Sequence, residues 1–274
     1  MNIEGRRTIS LISTLHYLKL IGRSFLLIAA LVIYILNVTY SNYNITNKSI
    51  SNKIFLTFIW VVFVIEIALR FFPSKFESMG CQKQFSRNFK PTSNYTPNFK
   101  LNSSKTTFIA AASWILLNAV IGVLYFTNII DKGILLLISL AFSVCDMICI
   151  LFFCPFQEWI MKNKCCTSCR IYNWDFAMMF TPLIFIKSFY TYSLLAFAIA
   201  LLIKWEIYVR LHPERFSEET NQCLSCSNCK EKLCQHKKSL QVFLKKQRLK
   251  QSKLNRNYNN IKHQNNWLFL TQII

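Results

Sequence analysis

FAMMFTPLIFIKSFYTYSLLAFAIALLIKW, residues 176 to 205, is apolar along almost its whole length, yet it carries Pro182, Lys187 and the polar run SFYTY near its middle. A plain helix crosses a hydrocarbon core about 30 Å thick with roughly 20 residues, because its backbone groups find no partner in lipid. The stretch is too long for one such helix and too short for two. A lone lysine in mid-span is costly, and broken helices are tolerated where protein surrounds them. The residues therefore predict a break near 187 to 191, with a short half-helix before it and a longer return helix after it.

Four plainer apolar runs precede it: Ser24 to Tyr40, Ile54 to Phe72, Phe108 to Asn128 and Gly133 to Phe153. The last two are separated by a few residues around Asp131 and Lys132, which predicts a tight antiparallel pair. The expected fold is an all-α integral membrane protein with four clear spans and the broken fifth region. The composition agrees, with 53% apolar, 15% aromatic and only 16% charged residues. Arg23 and Tyr40 flank the first run and are expected to snorkel or sit at the interfaces. Residues 1 to 23 show no cleavage site after the first apolar run; they read as a retained cytoplasmic segment, an amphipathic surface helix or disordered chain.

Lys and Arg accumulate on the cytoplasmic side of membrane proteins. Arg6, Arg7, Lys19 and Arg23 precede the first run, Lys75 to Lys105 follow the second, and Lys162, Lys164 and Arg170 follow the fourth. The alternate loops hold only Lys48, Lys53 and Lys132. A cytoplasmic N-terminus satisfies this pattern, and a returning hairpin at 176 to 205 keeps the basic tail inside as well. The expected location is the plasma membrane with both termini cytoplasmic.

Eleven cysteines are present, ten of them between Cys145 and Cys234. A reducing cytoplasmic face argues against disulfides. Cys165, Cys166 and Cys169 have the spacing of a metal knuckle, and Cys223, Cys226, Cys229 and Cys234, with His236 beside them, form a second set in residues 210 to 236. Two C-x2-C pairs supply the four donors of a tetrahedral zinc site, so zinc is the expected metal and a shared site requires both sets on one face. An iron–sulfur cluster is the alternative. The first three tail cysteines resemble the opening of bacterial ferredoxins, but Cys234 follows after four residues and precedes Gln235 rather than proline.

Within the apolar region, Cys145 and Cys149 share a helix face, with Cys154 at the end of the same run. They read as packing residues or as a redox or soft-metal centre. Asp146 needs a partner in hydrocarbon, and Lys187 is the one the sequence offers. Glu66 and Arg70 read as a local i, i+4 pair, Asn118 as an interhelical hydrogen bond, and Trp159, Tyr172 and Trp174 as an interfacial belt.

From Lys237 to His263 the tail carries nine Lys and Arg and no acid, which suits anionic lipid headgroups; no nucleic-acid-binding module is visible, so nucleic acid is not an expected partner. Nucleotide-binding loops, hydrolytic triads and metalloprotease motifs are absent from the sequence, so catalysis has little support. The leading expectation is a non-enzymatic multi-pass protein with zinc-binding cysteine knuckles in a structural, sensory or transport-related role. A membrane redox protein and a small transporter or channel using Asp146 and Lys187 are the alternatives.

Overall fold

The computed structural model describes residues 11–39, 47–73, 79–92, 104–161 and 169–225, all within one compact unit. The helices are α1 (Leu11–Thr39), α2 (Asn47–Phe71), α3 (Met79–Gln84), α4 (Ser104–Phe126), α5 (Lys132–Leu151), α6 (Asp175–Phe180) and α7 (Phe189–Leu211). Among the described residues there is no strand, only an isolated antiparallel bridge between Pro91 and Asn221. Helices α1, α2, α4 and α5 are long and apolar enough to cross a membrane. Their large side chains stay uncovered, as at Phe25, Phe58, Ile65, Phe108 and Leu116. Apolar surface on this scale is solvated by lipid, not by water.

Helix α1 is continuous from Leu11, so residues 11 to 23 form its first turns rather than a separate surface segment. It runs antiparallel to α5: Tyr17 meets Phe152, Arg23 meets Asp146, and Tyr34 Oη donates to Asp131 Oδ2 at 3.2 Å. Asp131 also caps α5, its Oδ1 accepting from Ile134 N at 2.8 Å. The approach is close enough that a Cβ on Gly133 would lie 2.6 Å from the Tyr34 ring. Helices α2 and α7 run parallel in a fixed register. Thr57 donates to Tyr190 Oη, Trp60 Nε1 to Ser193 Oγ, and Lys204 Nζ to the Phe71 carbonyl, each pair being 133 residues apart.

The fifth region is two arms joined at residues 186 to 188, where the chain is not helical. The first arm begins earlier than the apolar pattern suggests, at Arg170, and passes from a 3-10 stretch (Arg170–Trp174) through α6 into a second one (Thr181–Phe185). Ten 3-10 residues at about 2.0 Å and six α-helical residues at about 1.5 Å give a rise of roughly 30 Å. The arm therefore climbs beside α4, with Trp114 Nε1 donating to Thr181 Oγ1 and Phe126 packed on Phe185 at 5.7 Å. The break expected near 187 to 191 falls at 186 to 188, but at the end of the bundle rather than within it. Lys187 sits exposed in the turn between the arms, at the same end of the bundle as Phe126 and Asp131.

The core lies where α1, α2, α5, α6 and α7 meet. Phe63 packs edge-on against Phe180 at 5.1 Å, and Trp205, 1% exposed, is surrounded by Phe85, Tyr208 and Phe216. Leu201→Ala, at a site 1% exposed, is expected to lower stability by about 2–5 kcal/mol through the cavity it leaves. Phe58→Ala, at a site 56% exposed, is expected to change it by about 0.5 kcal/mol or less. Thermal unfolding of the two variants in detergent checks the contrast.

Candidate functional site

Arg23 is 4% exposed and is turned into the bundle, not snorkelled toward an interface. Its position on α1 faces α2 and α5 at once. Nη2 donates to Glu66 Oε2 at 2.6 Å, and Nη1 donates to Asp146 Oδ2 at 3.0 Å and to the Ser143 carbonyl at 2.9 Å. The guanidinium also lies over the Phe63 ring, 5.8 Å from its centroid. Glu66 and Asp146 each stand five residues before the end of their helix, about 8 Å inside it. The three charged side chains thus share one level of the bundle.

Arg70, one turn beyond Glu66 on α2, pairs with Asp175 Oδ2 at 2.6 Å and stacks between Tyr172 and Phe176. The i, i+4 pair expected from the sequence is therefore replaced by two pairs between elements. A third one follows: Arg170 Nη2 donates to Glu206 Oε2 at 2.6 Å, and Trp174 Nε1 to Glu206 Oε1 at 2.8 Å. Burial in an apolar bundle favours this outcome, since each charge is stabilised only by an opposite charge held in good geometry. The Asp146–Lys187 pairing is overturned by the same observation, because Asp146 is held by Arg23 and Lys187 lies at the opposite end of α5. Asn118 donates to the Trp114 carbonyl within its own helix and not across to a neighbour. Of the interfacial belt, Trp159 is exposed, whereas Tyr172 and Trp174 serve the ion pairs.

Asp146 also lines a cleft of about 140 Å3 between α4, α5, α6 and the segments that flank them. Cys145, Cys149, Cys154 and Cys169 all open onto it, as does Asp175, and Trp114 and Phe142 contribute aromatic walls. The volume has room for several waters or a small ligand. None of Cys145, Cys149, Cys154, Cys169 and Cys223 is in a disulfide.

No family model, curated protein or solved structure matches the chain.

Of the eight expected metal ligands, Cys169 and Cys223 lie among the described residues; Cys165, Cys166, Cys226, Cys229, Cys234 and His236 lie outside them, as does the basic tail. Cys169 is buried with Ala110, Met161 and Ile171, and Cys223 Sγ donates to the Asn88 carbonyl at 3.2 Å. Among the described residues, no three His, Cys, Asp or Glu side chains form a group suited to a metal ion. The segments bearing these two cysteines do converge on α3. Gln84 Oε1 accepts from Asn173 Nδ2 at 2.9 Å, and the Lys83 carbonyl accepts from Asn221 Nδ2 at 3.0 Å.

Arg23 is the residue that the sequence reading missed. Its signal was available: an arginine ten residues into an apolar run of 26 helical residues, with carboxylates inside two other runs. Arg23→Gln strips both carboxylates of their counter-charge and is expected to cost about 3–5 kcal/mol. A double-mutant cycle of Arg23→Gln with Asp146→Asn should show strong coupling, and one of Lys187→Gln with Asp146→Asn should be additive. Unfolding midpoints of the six proteins decide the assignment.

Proposed function

We propose that the chain is a non-enzymatic multi-pass membrane protein of a transport-related kind, with Arg23, Glu66 and Asp146 as its working element. One observation carries this reading: Asp146 is held by Arg23 on one side and lines a cleft on the other. Ionisable groups buried in spans mark ion and substrate pathways, since their cost on insertion is sustained only where they serve a function or a fold. Arg23 is shared between carboxylates on two helices, so a shift of α1 against α2 and α5 can trade one contact for the other.

In this reading the two arms at 170 to 211 both cross the bilayer, the membrane is the plasma membrane, and both termini are cytoplasmic. The Lys and Arg distribution supports that orientation. Reporter fusions after residues 50, 90 and 274 are expected to report outside, inside and inside. The basic tail then lies against anionic headgroups.

Purified protein in liposomes is expected to pass protons or alkali cations under an imposed gradient, as followed by pH- and potential-sensitive dyes. Asp146→Asn should abolish the flux while retaining the folded bundle. A folded wild-type protein that passes neither, at any gradient, overturns the reading and leaves the network as a structural staple.

A second reading rests on the convergence at α3: the cysteine-bearing segments on either side of the two arms meet at one end of the bundle, as a shared zinc knuckle requires. Zinc bound there would fasten residues 165 to 169 to residues 223 to 236. Elemental analysis is expected to find stoichiometric zinc, lost on changing Cys226 and Cys229 to Ser. Iron with matching sulfide assigns an iron–sulfur cluster instead, and protein with neither metal overturns the knuckle.

A further inference from the structure

The ion-paired side chains that meet around Arg23 and Arg70 do not balance. These two arginines stand against Glu66, Asp146 and Asp175, one carboxylate more than there are guanidinium groups. The surplus falls on the cleft side, because Asp146 and Asp175 both line the cleft of about 140 Å3. The other ionisable groups on the neighbouring turns of α1, His16 and Lys19, are not on its wall.

Asp175 is left short of donors. Its side chain is 5% exposed, and Arg70 Nη2 lies 2.6 Å from Oδ2. Among the described residues, however, Oδ1 is buried and accepts no hydrogen bond. A carboxylate oxygen in that state is costly until something supplies an N–H or O–H.

The rest of the lining decides what can supply it. Trp114 and Phe142 pack with ring centroids 4.9 Å apart, and Phe156, Tyr172 and Met178 extend an apolar wall beside them. Such a wall is poor company for a hydrated inorganic ion but suits an apolar body, and aromatic faces attract a cation. An anion would meet two carboxylates, and a neutral molecule would leave the surplus charge unanswered. Cys145, exposed on the flank of α5, opens the cleft toward lipid, where a lipophilic base concentrates.

We propose that the cleft binds a small lipophilic primary ammonium, its N–H groups donating to Asp175 Oδ1, its charge facing Asp146 and its apolar part lying on Trp114 and Phe142. The ligand takes an oxygen that no hydrogen bond holds, so Arg23 and Arg70 keep their partners. The site goes beyond the flux reading and is tested apart from it, because binding is measured without a gradient.

The full chain in detergent is titrated with 2-phenylethylamine, protonated at about pH 7, by isothermal calorimetry. One saturable site per chain is expected. The alcohol 2-phenylethanol, with the same body and no charge, and ammonium, with the charge and no body, should each bind more weakly by about tenfold or more. Asp175→Asn should weaken the amine by about tenfold or more, and so should Met178→Trp, which fills the cleft at a residue outside the ion pairs; melting temperatures show that both variants are folded. Wild-type protein with no saturable site, or with the alcohol bound as tightly as the amine, overturns the proposal whatever the variants do. So does amine binding retained in either folded variant, which places the amine in the micelle or elsewhere on the protein. A protein that binds the amine but passes neither protons nor alkali cations upholds this site and overturns the flux reading, and one that passes them without binding the amine does the reverse.

Discussion

A guanidinium buried among apolar side chains is tolerable only while opposite charges hold it, and Arg23 draws two of them from different helices. That constraint fixes much else. Helices α1, α2 and α5 must reach the same level at Arg23, Glu66 and Asp146, so their rotations about their own axes are set by three side chains. The antiparallel register of α1 on α5 follows, from Tyr17 at one end to Tyr34 at the other. Glu66 is then engaged across the bundle, and Arg70 is available for Asp175 at the start of α6. One pairing decision thus propagates into the placement of the first arm of the fifth region.

Helix α7 supplies the second frame. Its parallel register on α2 is held by hydroxyl and indole groups near one end, and near the other by Lys204, which donates to the carbonyl at the end of α2 and lies over Phe71, Phe85 and Tyr208. A cation at a helix C-terminus complements the helix dipole, and the aromatic faces replace the water it has lost. Trp205, next to Lys204, packs on Phe85 and Tyr208 from within the core. The arm between α5 and α7 is wedged into this frame, and its 3-10 stretches stretch sixteen residues over a distance that an α-helix of that length would not cover.

The consequence for chemistry is a cleft of mixed lining. Asp146 and Asp175, already engaged by arginines, line it together with thiols and aromatic rings. An ion that reaches Asp146 must compete with Arg23 for it.

The sequence by itself determined the membrane character, the four long spans, the short connection around Asp131 and the presence of a break before α7. These are local properties: run length, apolar content and turn chemistry are written in neighbouring residues. The tight α4–α5 pair it suggested is corrected, because the first arm of the fifth region packs against both helices. Only the tertiary structure decided which charges pair. Arg23 lies 43 residues from Glu66 and 123 from Asp146, and periodicity reports only which residues share a face of one helix. It also decided that the first arm starts at Arg170, because Arg170, Trp174 and Asp175 are held by partners on α7 and α2 that an apolar count does not register. Lys187 therefore reached the end of the bundle instead of its middle, and Asp146 was left to an arginine that the sequence had placed at the edge of the first span.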